Sequence, residues 1–101
     1  MINSDSYFEP EARAEFLEAI AWYAAKSSEL GKEFTQEVLA AVQRARAQPE
    51  IFKMVRGRAR KIRLKRFKAY SIYFANKDDV FSVISVFHGA RDPNELLRRL
   101  K

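Results

Sequence analysis

The sequence predicts an α+β fold, a helix hairpin followed by strands and a short C-terminal helix. Three observations carry this. Apolar side chains recur at helical spacing from residue 10 to about Gln48, with one break at Ser27-Ser28. From residue 59 the pattern changes to alternation and to runs of β-branched and aromatic residues. Asp92-Pro93-Asn94-Glu95, just before Leu96, Leu97 and Leu100, has the form of a helix start. A chain of 101 residues, 48% of them hydrophobic, suits one compact domain spanning 1–101.

The elements follow in order. Tyr7-Phe8 is a short apolar stretch, read as a first strand ending at Glu9-Pro10. Pro10 suits the first helical turn, where its missing N–H costs nothing. Phe16, Ile20 and Tyr23 then mark a helix over about 10–26, with Glu11, Glu15 and Glu18 interleaved. A second helix runs to about Gln48 on the stripe Leu30, Phe34, Val38, Ala41, Val42 and Ala45, and Pro49 stops it. So short a link at Ser27-Ser28 makes the two helices an antiparallel hairpin. Strands are expected at about 59–66, 69–75 and 80–88. Asn76-Lys77-Asp78-Asp79 is a tight turn, so the last two strands form a hairpin. Val80–Phe87 carries β-branched and aromatic residues on both faces, the pattern of a central, doubly covered strand.

Charge is divided along the chain. The net charge of +6 arises from −4 over residues 1–52 and +10 over 53–101. Between Lys53 and Lys68 there are nine Lys or Arg and no Asp or Glu. Within this run Ile62 and Leu64 alternate with Lys61, Arg63 and Lys65. On a strand that alternation turns the aliphatic pair to a core and stands the three cations on the other face. Such a row is a docking surface for phosphate or for an acidic protein segment, or a solvated face that discourages edge pairing. Tyr70 and Tyr73, just downstream, could stack bases of single-stranded RNA or pack in the core.

The absences narrow the chemistry. One His excludes a His-pair mechanism, and no Cys with one His argues against a transition-metal site. The three glycines are isolated, so no phosphate-cradling loop exists. No metal or cofactor is expected. No apolar stretch approaches the roughly 20 residues needed to span a bilayer. Met1–Asp5 lacks the basic and apolar parts of a secretory leader, and the lack of Cys fits a cytoplasmic location. His88 and Arg91, where the last strand gives way to a helix, are the remaining chemical candidates. His88 can act as acid or base, or hold a structural hydrogen bond. Arg91 can grip a phosphate, or pair with Asp92 or a helix carboxylate.

Taken in order, Pro10-Glu11-Ala12, Trp22-Tyr23, Leu30-Gly31-Lys32-Glu33-Phe34, Pro49-Glu50-Ile51-Phe52, Arg66-Phe67, Tyr70-Ser71-Ile72-Tyr73 and Val86-Phe87-His88-Gly89-Ala90-Arg91-Asp92-Pro93 resemble the RelE/ParE superfamily of bacterial type II toxins, the plasmid-stabilisation proteins. The likeness covers nearly the whole chain. One departure is Phe67-Lys68-Ala69-Tyr70, where similar members have Phe-Pro-Tyr.

The resemblance implies a helix hairpin packed on a small, twisted, mostly antiparallel β-sheet. It implies a cognate antitoxin that wraps the toxin into a hetero-oligomer. It also implies one of two targets. A RelE-like member would be a metal-independent, ribosome-dependent mRNA endoribonuclease, with Lys61, Arg63, Lys65, His88 and Arg91 at the matching catalytic positions. A ParE-like member would poison DNA gyrase and not be an enzyme. Then Arg60, Arg66, Tyr70, Tyr73, Arg98 and Arg99 would bind target or antitoxin. The strand offers cations but no acid–base pair, which favours the ParE-like side. A non-toxic RNA-binding module is the third reading.

Overall fold

A computed structural model describes residues 7–100; Met1–Asp5 lies outside the described residues. Helix α1 (Pro10–Lys26) and helix α2 (Ser28–Ala47) form the hairpin. The single residue between them, Ser27, is extended, and its side chain accepts a hydrogen bond from the Leu30 N–H at 3.3 Å, so it caps α2 while turning the chain. A 3-10 turn, Pro49–Ile51, leads into strands β1 (Lys53–Arg56), β2 (Ala59–Arg63), β3 (Tyr70–Lys77) and β4 (Val80–His88), then helix α3 (Pro93–Leu97). The strands make one antiparallel sheet in the order β1-β2-β3-β4. This is the expected α+β arrangement.

The hairpin covers one face of the sheet. Ala12, Phe16 and Ala19 of α1 and Phe34, Val38, Ala41, Val42 and Ala45 of α2 meet Ile62, Leu64, Ile72, Phe74, Val83 and Val86. Phe67 plugs the end of this layer, its ring 5.1 Å from Phe34 and 4.9 Å from Tyr23. The departure at Phe67–Tyr70 is therefore a closed turn: the Tyr70 N–H donates to the Phe67 carbonyl at 3.0 Å. The other face carries a smaller core, where Leu96 and Leu100 cover Ala59, Tyr73, Ile84 and Phe87.

Four expectations change. Lys53–Arg56 is a strand that the pattern hid, because all four residues are exposed and nothing alternates. Gly57, at φ 56°, makes the turn into β2. The second strand ends at Arg63, not Arg66. Val80–His88 is covered on both faces but lies at the sheet edge, not the centre. Tyr7-Phe8 supplies only a single parallel bridge, Phe8 to Val83. The last hairpin forms as expected, but β3 runs on through Asn76 to Lys77, so the turn is Asp78 and Asp79 alone, both at positive φ.

Candidate functional site: a basic face and a carboxylate-locked edge

Strand alternation sorts the basic run. Lys61 pairs with Tyr73 and Arg63 with Ser71, so both cations share the face that α3 partly covers. The Lys61 Nζ lies 5.8 Å from the Tyr73 ring centre. Arg56 pairs with Ala59 on the same face and joins Asn94, Leu97 and Arg98 around an open groove. Arg56, Lys61, Arg63 and Arg98 thus make one cationic surface flanked by the exposed Leu97. Neither the Arg56 strand nor its turn was legible in the sequence. Gly57 was the only available signal for them.

Other members of the run are elsewhere. Lys65 lies past the end of β2, and its backbone N–H donates to Glu37 of α2 at 2.7 Å. Arg66 pairs with Glu33 of α2 at 2.9 Å. Arg60 points to the hairpin side and donates to the Phe52 carbonyl at 2.7 Å. The expected three-cation row is therefore a pair, Lys61 and Arg63; the strand stops before Lys65 can join it. Tyr70 and Tyr73 are also separated. Tyr70 packs under the hairpin, 5.3 Å from Phe34, while Tyr73 belongs to the core under α3. Two residues three apart on a strand face opposite ways, so they form no shared stacking platform. Burial raises both phenol pKa values.

His88 and Arg91 both have partners within the fold. The Ala90 N–H donates to His88 Nδ1 at 2.9 Å, which makes that nitrogen an acceptor, and the ring packs edge-on against Tyr70 at 4.9 Å. Arg91 donates to Glu15 and to Glu95, the latter at 3.0 Å. Its guanidinium lies 4.6 Å from the Phe87 ring centre. Asp92 caps α3 by accepting from the Asn94 N–H at 3.0 Å. Glu95, three residues after the cap, directs its carboxylate to Arg91.

Glu15 is the residue the sequence left unmarked. It also accepts from Arg99 Nη1 at 2.9 Å, from the Ser85 hydroxyl at 2.8 Å and from the Val86 N–H at 3.1 Å. Arg99 in turn donates to the Ile84 carbonyl, and the Glu9 N–H donates to the Val83 carbonyl at 2.9 Å. Together these groups take up the Val83 and Ile84 carbonyls and the Val86 N–H on the outer edge of β4. Burial alone would raise the Glu15 pKa; hydrogen bonds from Arg99, Arg91 and Ser85 outweigh it, and the carboxyl ionises below its usual range. The sequence signal was weak: a Glu directly beside the buried stripe Ala12, Phe16 and Ala19.

Fold and site define a small α+β protein with a cationic face on the α3 side of its sheet. Among the described residues, no helix is long and apolar enough to cross a membrane. Residues 7–93 match the family described as the ParE toxin of the type II toxin–antitoxin system, parDE. The chain belongs to this family of toxins, which implies an antitoxin partner. No curated protein matches the chain.

Proposed function

We propose that this toxin inhibits DNA gyrase by docking its basic face, and that a cognate antitoxin neutralises it by covering that face in a hetero-oligomer. One observation carries the choice of target: the groups that mRNA cleavage needs are dispersed. Attack of a 2′-hydroxyl on its phosphate needs a base and an acid within hydrogen-bond reach of one reacting centre. Lys61 and Arg63 stand on the α3 side of the sheet, whereas His88 packs against Tyr70 on the hairpin side. Arg91 already carries two carboxylates. A cationic surface set apart from the His88 imidazole favours protein docking, in which charge steers encounter and sets register. Lys61, Arg63 and Arg98 are the contacts of this reading, with Arg56 at the rim. Gyrase and antitoxin would both be met in the cytoplasm.

The test is a supercoiling assay with purified gyrase, ATP and plasmid. Accumulation of cleaved DNA complexes, relieved by antitoxin, supports the proposal. Unaffected gyrase at high toxin concentration, together with mRNA cleavage in a translation extract, overturns it.

A further inference from the structure

On the hairpin side, away from the basic face, α1 and the end of β4 enclose a pocket of about 220 Å³ lined by Glu18, Trp22, Tyr70 and His88. Glu18 and Trp22 are four residues apart on α1 and so lie one above the other. Three rings and one carboxylate therefore converge in a chain whose net charge is +6. Packing does not account for the composition, because Trp22 is 56% exposed. The wall is nonetheless held in place. Tyr70 meets the rings of Tyr23, Phe34 and His88, and the Trp22 ring packs edge-on against Tyr23 at 5.1 Å. His88 Nδ1 accepts a hydrogen bond from the Ala90 N–H, which fixes the imidazole ring in this wall.

Ring faces attract cations, tryptophan most strongly, and a carboxylate beside them supplies the counter-charge. Lys26, one turn along α1, already places its Nζ 4.2 Å from the Trp22 ring centre, so a guest cation uses the other face of the indole or displaces that ammonium. A planar guanidinium can stack on a ring and donate in parallel to a carboxylate, which an ammonium cannot. We infer that this pocket receives an arginine side chain from a partner polypeptide. The inference does not rest on the gyrase reading, which uses the opposite side of the sheet.

Trp22 is the only tryptophan, so its emission reports on the pocket directly. Capped arginine amide and capped lysine amide are titrated into the full chain at constant ionic strength, with sodium chloride as the control. The expected result is a saturable emission change with arginine, with affinity at least about threefold lower for lysine. Glu18→Gln, at an exposed position, leaves the fold intact by circular dichroism and weakens arginine binding at least about fivefold. A non-saturable change, equal affinity for the two amides, or equal affinity in Glu18→Gln and wild type overturns the inference. Glu18→Gln retains the wild-type effect on gyrase, so the two proposals fail separately.

Discussion

Arg99 grips Glu15 with both ends of its guanidinium, Nη1 to Oε2 at 2.9 Å and Nη2 to Oε1 at 3.2 Å, across 84 residues of chain. The pair ties the C-terminal segment to the first helix and seals the edge of β4 between them. Both side chains are mostly buried, at 15% and 13% exposure. This contact therefore differs in kind from the solvated pairs elsewhere on the surface.

The first prediction concerns acid stability. The Glu15 pKa is depressed in the folded state. Its contribution to stability is therefore complete above the unfolded value of about 4.3 and is lost as pH falls through the lower folded value. Glu15→Gln should lower stability near pH 7 and show a shallower loss than wild type below about pH 4.3. Urea midpoints measured across pH 2–7 check this, with parallel acid limbs as the contrary result.

Arg99 and Arg91 should differ in their coupling to Glu15. Arg91 is 38% exposed against 15% for Arg99, so solvent screens it more. A double-mutant cycle should give about 1–3 kcal/mol for Glu15 with Arg99, and at most about 1 kcal/mol with Arg91. The reverse order would show that the Arg91 turn, not the C-terminal segment, holds the edge.

Gly31 sets the approach of the two helices. A Cβ there would lie 2.9 Å from the Ala24 Cβ and 3.1 Å from the Ala24 Cα; the Cα is backbone of α1, and a methyl fixed to it has no torsion by which to swing away. Helix propensity favours Gly31→Ala by about 1 kcal/mol, but overpacking typically costs about 1–3 kcal/mol. The overlap should win, with a lowered urea midpoint. A raised midpoint would mean that the helices separate freely.

Charge reversal on the basic face should separate function from folding. Arg63→Glu, at an exposed strand position, should shift stability by no more than about 0.5 kcal/mol. On the gyrase reading it should raise the toxin concentration needed for cleaved complexes at least about tenfold, by turning attraction into repulsion. Arg66→Glu, whose partner is Glu33 on α2, serves as the comparison and should change inhibition far less. Equal effects would place the docking surface elsewhere.

The hairpin, the core stripe and the last β-turn were legible because each rests on local order: period, the break at Ser27-Ser28, the helix start at Asp92, and turn residues at Asp78-Asp79. The type of the basic strand was legible for the same reason, since Ile62 and Leu64 alternate with cations. Where that strand stops, and which cations stay together, depended on contacts with α2. Glu37 takes the N–H of Lys65 and Glu33 takes the side chain of Arg66. Lys53–Arg56 was illegible because an exposed edge strand leaves no apolar pattern.

By itself, then, the sequence determined an α+β chain with a cationic second half, because side-chain period and charge are local properties. Only the tertiary structure decided that Tyr70 and Tyr73 part company and that Arg91 is bound by carboxylates. It alone brought Glu15 to Arg99, since ion pairs between distant residues depend on how helices and strands dock, and no local pattern encodes that docking.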